Sequence, residues 1–229
     1  MDRAEASRIA HGELALYNPL SERALDESIE LLQLAPGARV LDVACGRAEV
    51  LRRVAERYDV EPAGYDADAG VVQSAPPELN VIVADRPPEG VFDLVICIAS
   101  SHALGGFPDA LRALHELVAP GGSLLLGEGY WRQPPSRDYL DALGGATEDE
   151  LPGYGGLFRA AEDAGFTPLH ASVASEADWD RYEWIQILNS ERHGHPALRE
   201  RAERARRRMT MPGGRDTLGF ALMLLWRQS

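Results

Sequence analysis

Residues 40–49 read Val40-Leu41-Asp42-Val43-Ala44-Cys45-Gly46-Arg47-Ala48-Glu49. The pattern predicts an apolar strand that ends on an acid, then a turn of small residues, then a helix that continues through Leu51 and Val54. Such a turn presents free backbone N–H groups at the start of the helix, and small side chains let a ligand approach closely. The stretch therefore predicts a ligand site at the carboxyl end of a strand.

A second acidic residue follows at the distance that a nucleoside site requires. Twenty residues after Gly46, the short apolar segment Pro62-Ala63-Gly64-Tyr65 ends on Asp66. An acid at this position of a βαβ unit is placed to accept hydrogen bonds from a ribose. The three glycines of the dinucleotide fingerprint are absent, because the turn contains Gly46 alone. The unit is therefore expected to bind a nucleoside-containing cofactor other than NAD.

Three more apolar strands are predicted downstream, at residues 81–84, 92–98 and 117–126, and the last of these includes a helix end and a Pro-Gly-Gly turn. Strands alternating with helical segments indicate a parallel sheet with helices on both faces. Over about residues 31–126 this order resembles the class I S-adenosylmethionine (SAM) methyltransferases. Their motif I is usually written D-x-G-x-G-x-G, and here Ala44 and Ala48 replace the first and third glycines.

The resemblance implies an α/β fold: a Rossmann-like, doubly wound, seven-stranded sheet with an antiparallel last strand and a helical cap. It also implies SAM as cofactor. Asp42 would brace the turn near the amino-acid end of SAM, Asp66 would hold the ribose hydroxyls, and Asp85 would lie beside the adenine amino group. The other cofactor-binding residues expected are Tyr17, Asn18, Ala44, Gly46, Ala67, Arg86, Ala99 and Ser101.

The segment before the sheet is expected to cover the cofactor cleft. Residues 9–21 are apolar and aromatic, with a break at Asn18-Pro19, and Ser21 fits the N-cap of a following helix. In related methyltransferases such a segment forms a lid, so Tyr17 and Asn18 would face SAM. The alternative is that Tyr17 only packs the first helix against the sheet.

Candidate catalytic residues follow strands four and five, because ligands bind beyond the carboxyl ends of parallel strands. His102 is the first candidate for a general base, since imidazole titrates near neutral pH, and Glu128 is the second. Either residue could instead support its loop. Tyr130 and Trp131 are expected to line the acceptor pocket, or else to cover the edge of the sheet.

The chain is expected to form one domain, with lid helices at 1–30, a SAM-binding core at 31–170, a cap insertion at 171–215 and the last strand at 216–229. Within the cap, Tyr182 and Trp184 are predicted to bind substrate. The arginine-rich run at 199–208 is interpreted as a solvated helix face with i,i+4 ion pairs. The pair His193 and His195 is too isolated to indicate a metal site, and no metal is expected.

Composition narrows the class of protein. The net charge of −13 and the lack of a basic face favour a small-molecule substrate over nucleic acid. There is no run of eighteen apolar residues and no secretory leader, so a cytoplasmic bacterial protein without a membrane span is expected. Cys45 and Cys97 are expected to be small core residues or reduced thiols, as is usual in the cytosol. Oligomeric state stays open.

The sequence thus predicts an enzyme that transfers the SAM methyl group to an oxygen, nitrogen or carbon nucleophile of a small molecule. In such a reaction the protein mainly aligns the nucleophile, excludes water and sometimes takes a proton. One alternative is a SAM-binding regulatory or non-catalytic protein of the same fold. Another is a dehydrogenase or nucleotide-sugar enzyme with an altered turn.

Overall fold

A computed structural model describes residues 1–228 of the chain. The strands are β1 (Ala38–Val43), β2 (Val60–Asp66), β3 (Val81–Val83), β4 (Phe92–Ile98), β5 (Val118–Trp131), β6 (Phe166–Val173) and β7 (Leu218–Arg227). The helices are α1 (Arg3–His11), α2 (Glu22–Glu30), α3 (Glu49–Arg57), α4 (Ala69–Val72), α5 (Phe107–Leu117), α6 (Arg137–Ala142), α7 (Tyr154–Asp163), α8 (Glu176–His193) and α9 (Pro196–Thr210).

The seven strands form one sheet in the order β3-β2-β1-β4-β5-β7-β6. The first five strands in this order run parallel, and β7 runs antiparallel to both of its neighbours. The order reverses at β1, from which the chain winds to β2 on one side and to β4 on the other. This topology confirms the predicted Rossmann-like sheet with an antiparallel last strand.

Helices cover both faces of the sheet, each over its own apolar cluster. On one face, α5 and α7 place Leu114 and Leu157 against β4 and β5. On the other face, α2 and α3 place Ile29 and Leu51 against β1 and β4. These four leucine and isoleucine side chains are at most 2% exposed, so both layers are fully packed. Because the central strands are buried on both faces, their sequences are continuous apolar runs.

Strand β5 is longer than the sequence indicates. Residues 128–131 were expected beyond the end of this strand, whereas they belong to it and pair with β7 as far as Trp131 opposite Leu218. The parallel neighbour β4 ends earlier, with Ile98 opposite Gly127. The pairing partner β7 lies almost 100 residues away in sequence, so the local Gly-Glu-Gly pattern could not reveal the extension.

The lid and cap helices pack against each other although the chain separates them widely. α8 begins with a capping box in which Ser175 and Asp178 exchange hydrogen bonds. The Asn189 side chain of α8 donates to the Ala10 carbonyl oxygen of α1 at 3.0 Å. Across the described part of the chain, none of the helices is long and apolar enough to cross a membrane.

The interpretation of α9 as a solvated face needs correction. Arg204 and Glu200 do form the expected exposed i,i+4 pair. Arg208, however, turns inward to Glu183 of α8, and Arg201 turns inward to Gln186. The inward face follows from Leu198, Ala202 and Ala205, which are buried at helical spacing on the side that meets α8.

The pairing of Tyr130 with Gly219 gives a test of the β5–β7 packing. A Cβ atom at residue 219 would lie 2.3 Å from the Tyr130 ring, so Gly219→Ala is expected to lower the free energy of unfolding by about 1–3 kcal/mol. Gly155→Ala is the control, because its Cβ meets only Arg159 at 3.4 Å on an exposed helix, and it should raise stability by up to about 1 kcal/mol. Urea denaturation of both variants measures the difference. Equal effects would contradict the close packing.

Candidate functional site

A cavity of about 680 Å³, here called the main cavity, lies at the carboxyl ends of the parallel strands. The switch in strand order at β1 leaves this crevice open, and α1 and α8 form its roof. The predicted site residues that line the main cavity are Tyr17, Asn18, Asp42, Ala44, Gly46, Asp66, Ala67, Asp85, Ala99, His102 and Tyr182. Those that do not line it are Arg86, Ser101, Glu128, Tyr130, Trp131 and Trp184.

The turn after β1 is held in a backbone conformation that favours glycine. Ala44, Gly46 and Ala48 have φ values of 48°, 55° and 58°, and Ala99 after β4 has 58°. For alanine this left-handed region costs about 1–3 kcal/mol per residue, and such strain persists where surrounding contacts impose it. A Cβ at Gly46 would meet no atom within 4 Å, so the space over the turn is open to a ligand.

Two acids lie next to this turn, and Asp66 is bonded to its backbone. The Gly46 N–H donates to Oδ2 of Asp66 at 2.8 Å, and the Asp68 N–H donates to Oδ1 at 2.8 Å. Asp42 is 4% exposed, and burial raises its pKa to about 8, with the Leu51 N–H acting in the opposite direction. In this state Asp42 carries a proton at neutral pH, and a cationic ligand group would favour its ionised form.

A cluster of three aromatic rings forms part of the roof. The rings of His11 and Tyr17 stack with centroids 4.1 Å apart. His11 donates from Nδ1 to the Ser7 carbonyl oxygen at 2.8 Å, and its Nε2 lies 3.0 Å from the Tyr182 hydroxyl. Burial lowers the pKa of His11 to about 4, so the ring is neutral at pH 7. The Tyr17 hydroxyl is buried and has no hydrogen-bond partner in residues 1–228.

The two predicted base candidates occupy different environments. His102 lies on a short 3-10 helix (Ser101–Leu104) at the wall of the main cavity, and its side chain is exposed. Lost hydration on the covered side of the ring lowers the pKa of His102, and the charge of Arg3 acts in the same direction. A neutral imidazole at the cavity wall can accept a proton.

Glu128 lies on β5 and is 6% exposed. Its Oε1 accepts from the Gly129 N–H at 2.8 Å, whereas its Oε2 has no partner in the described residues. Burial raises the pKa of Glu128, and the Ser101 hydroxyl and the Gly129 N–H act in the opposite direction. The side chain sits beneath the loop that carries Ser101, outside the main cavity.

The aromatic residues expected in the acceptor pocket lie elsewhere, with one exception. Tyr130 packs against Tyr154 with ring centroids 5.2 Å apart, and Trp131 donates from Nε1 to the Glu148 carbonyl oxygen at 2.8 Å. Trp184 is 43% exposed on α8, because two residues along a helix rotate a side chain by about 200° away from Tyr182. Tyr182 alone of these faces the main cavity.

Three polar residues that the sequence interpretation missed come from α1, from the turn after β1 and from α9. His11, Arg47 and Arg201 line the main cavity, and the Arg47 guanidinium lies 5.3 Å from the centroid of the Tyr17 ring. For Arg201 a signal existed, since residue 201 lies three and four positions from Leu198 and Ala205 on the buried stripe of α9. For His11 no local signal distinguishes a cavity residue from a core residue.

The polar groups of residues 1–228 do not assemble a metal-binding cluster, since no three His, Cys, Asp or Glu side chains converge. His193 and His195 lie with ring centroids 6.4 Å apart, and His195 instead caps α9 by accepting from the Ala197 N–H. The side chains that line the main cavity include carboxyl, imidazole, phenol, thiol and guanidinium groups.

Comparison with known proteins identifies the family. A family model for the methyltransferase domain matches residues 17–171, which is more than half of the chain. The protein therefore belongs to the methyltransferase-domain family. The predicted class, the transfer of a methyl group and SAM as the methyl donor are confirmed at the level of this family.

Relatives of several kinds share this domain. An uncharacterised protein of Escherichia coli (strain K12), YjhP, is 28% identical over 205 residues, covering 84% of this chain and 83% of its own length. Phosphoethanolamine N-methyltransferase 1 of Arabidopsis thaliana is 26% identical over 180 residues, covering 72% of this chain. The chain spans only 25–35% of the length of the phosphoethanolamine methyltransferases it matches.

Solved structures agree with the fold along almost the whole chain. The crystal structure of YjhP gives a TM-score of 0.86 at 24% identity, covering 98% of this chain and 100% of that one. A SAM-dependent methyltransferase from Geobacter sulfurreducens, crystallised with S-adenosylhomocysteine, gives 0.82 at 22% identity, covering 98% of each chain. At these identities the likeness establishes the fold.

Because His11 is buried and neutral, the free energy of unfolding is expected to depend on pH. Its pKa of about 4 lies below the unfolded value of about 6.5, so the unfolded chain binds the extra proton between these values. As pH falls from 6.5 to 4, His11 should therefore remove roughly 3 kcal/mol of stability. Above pH 6.5 this loss is absent.

Urea denaturation at pH 7.5, 6 and 5 checks this, with His11→Gln compared to wild type. The variant should lose less stability on acidification, while His170→Gln, an exposed position on β6, should follow wild type. Parallel pH curves for wild type and His11→Gln would show that His11 titrates normally.

Proposed function

We propose that this methyltransferase binds SAM in the main cavity and methylates a small-molecule acceptor held under the roof of α1 and α8. The observation that carries the proposal is the cavity itself. It lies at the switch point of the sheet, its floor is the open turn at Gly46, and it reaches from Asp66 to Tyr182. Its volume of about 680 Å³ is in the range of small-ligand sites.

The residues present suit each part of SAM. Asp66 would hold the ribose hydroxyls, because its oxygens accept one backbone N–H each and retain a free lone pair. Asp42 would serve the amino-acid end, together with Ala44 and Gly46. Asp85, exposed at the cavity rim, would lie beside the adenine. Tyr17, Asn18, Ala67 and Ala99 would complete the walls, whereas Arg86 and Ser101 lie outside them.

Bound SAM supplies a methyl group on a positively charged sulfur, which is already activated for transfer. The protein's own contribution is to hold the acceptor in line and to keep water out. The roof serves the second need, since Arg8 of α1 forms an ion pair with Asp68 at the start of α4 across the cavity mouth. Tyr182 of α8 contacts His11 of α1 and donates to the Tyr17 carbonyl oxygen, so it joins the two helices of the roof.

Any proton released by the acceptor would pass to His102 first. His102 is a cavity-lining imidazole whose lowered pKa keeps it unprotonated at neutral pH. Glu128 is the second choice, because burial favours its protonated form and removes it from the cavity wall. Tyr130, Trp131 and Trp184 are better assigned to packing and to the surface than to the acceptor.

Calorimetry with SAM, S-adenosylhomocysteine and NAD tests the cofactor assignment. SAM and S-adenosylhomocysteine should bind, and Asp66→Ala should weaken both by about tenfold or more, since charged hydrogen bonds contribute about 1.5–3 kcal/mol. Asp59→Ala, an exposed acid beyond the end of α3, is the matched control and should bind as wild type. Preference for NAD, or unchanged affinity in folded Asp66→Ala, would refute the assignment.

Turnover with an acceptor found by screening small metabolites tests the base. His102→Ala should lower kcat about 10²–10⁴-fold and abolish the rise of kcat with pH, because the group that takes the proton is gone. Glu128→Gln keeps the buried shape and should have a much smaller effect, and His170→Ala is the surface control. Near-full turnover by both the His102 and the Glu128 variants, with SAM affinity intact, would mean that alignment alone drives the transfer.

A further inference from the structure

A second cavity lies inside the cap. It measures about 300 Å³ and is lined by residues of α6, α8, α9 and the start of β7, and it is here called the cap cavity. Tyr182 and Arg201 line both this cavity and the main cavity, so the two spaces adjoin at these side chains. A molecule in the main cavity could therefore extend one end into the cap.

The charge around the cap cavity is unbalanced. Arg201, Arg204 and Arg208 line it, against the single carboxylate of Glu183. Glu183 is already held by Arg208, whose Nη2 donates to both carboxylate oxygens at 3.0 and 3.1 Å. Arg204 pairs on the outer side with the exposed Glu200 at 2.6 Å. Positive charge thus remains at Arg201.

Of the three arginines that line the cap cavity, Arg201 is the one that forms no ion pair within residues 1–228. It donates to the amide oxygen of Gln186 at 2.8 Å, and within residues 1–228 no carboxylate forms an ion pair with it. Burial lowers the pKa of Arg201; Tyr182 and Glu183 act in the opposite direction, and the charges of Arg208 and Arg204 lower it further. Arg201 is partly buried, so its guanidinium has lost hydration that no paired carboxylate replaces, and its planar donors match the oxygens of a carboxylate or phosphate.

A second polar group in the cap cavity also lacks a partner. Ser190 is 1% exposed and lines the cavity, and its Oγ forms no hydrogen bond within the part of the chain that the structure describes. Buried hydroxyl groups are normally satisfied, so the unpaired Ser190 hydroxyl can serve a ligand in the cavity that Arg201 also lines. Both groups can donate to an anionic oxygen.

We propose that the methyl acceptor carries an anionic group, a phosphate ester or a carboxylate, and that this group binds in the cap cavity to Arg201 and the Ser190 hydroxyl. Arg201 is then a specificity-determining residue that selects acids, and the reactive end of the acceptor lies in the main cavity. The chain as a whole carries a net charge of −13, so a local cationic site is needed to hold such a substrate. This inference rests on the proposed methyltransferase function.

Thermal unfolding of the protein saturated with S-adenosylhomocysteine tests the proposal, with inorganic phosphate and malonate as probes. Sodium chloride at equal ionic strength is the reference. One or both probes should raise Tm by about 3 °C at tenfold excess over Kd. Arg201→Gln should abolish the shift, whereas Arg207→Gln, on the exposed side of α9, should keep it. The responding probe tells phosphate from carboxylate.

An equal shift in Arg201→Gln, or no shift in wild type with either probe, overturns the proposal. If Arg201→Gln does not fold, Ser190→Ala decides instead, because it removes only the unpaired hydroxyl: weaker binding of the responding probe supports the site and unchanged binding overturns it. Calorimetry with S-adenosylhomocysteine is recorded for every variant. If the wild-type protein does not bind S-adenosylhomocysteine, the proposed function is refuted. A response to phosphate or malonate that depends on Arg201 tests the anion site separately.

Discussion

The hydrogen bond from the Gly46 N–H to Asp66 is the contact on which the rest of the site depends. At 2.8 Å it joins the turn after β1 to the last residue of β2. The two strands are parallel and in register, with Val43 opposite Tyr65, so both acid-ended strands finish at the same edge of the sheet. With this bond in place, the turn keeps its left-handed backbone at Ala44 and leaves open space above the glycine. Strain and open space therefore coincide at the cavity floor.

The roof over this floor is assembled from segments that are far apart in the chain. His11 and Tyr182 are separated by 171 positions, yet their polar atoms lie 3.0 Å apart. Arg8 reaches from the lid to Asp68, whose side chain also caps α4 through the Gly70 N–H. Opening the lid would break this ion pair and uncover the His11 ring. Closure and ligand enclosure are thus coupled through a few named contacts, which suits a family whose reaction must exclude water.

Charge is distributed unevenly between the surface and the cap. Several arginines pair with acids on exposed helix faces, where each ion pair contributes little to stability. The inward side chains of α9 are different, because Arg208 is partly buried and paired with Glu183, whereas Arg201 hydrogen-bonds to an amide oxygen. The chain has a net charge of −13 and no lysine, yet two of its guanidinium groups, those of Arg201 and Arg208, point inward to α8. Such an arrangement is consistent with a role in binding rather than in solubility.

The sequence by itself determined the elements and the class. The apolar runs, the acids that end them and the turn at Gly46 predicted the sheet, its nucleoside site and the family, because strand and turn signals act over a few neighbouring residues. Only the tertiary structure decided that β5 continues through Trp131, that Trp184 faces solvent, and that Arg201 turns inward. The extension of β5 and the inward turn of Arg201 depend on partners from other parts of the chain, namely β7 and α8. Trp184 faces solvent because Tyr182, two residues earlier on the same helix, faces the main cavity. Burial by a distant partner changes what a side chain can do without leaving a local pattern, which is why His11 was recognised only in the folded protein.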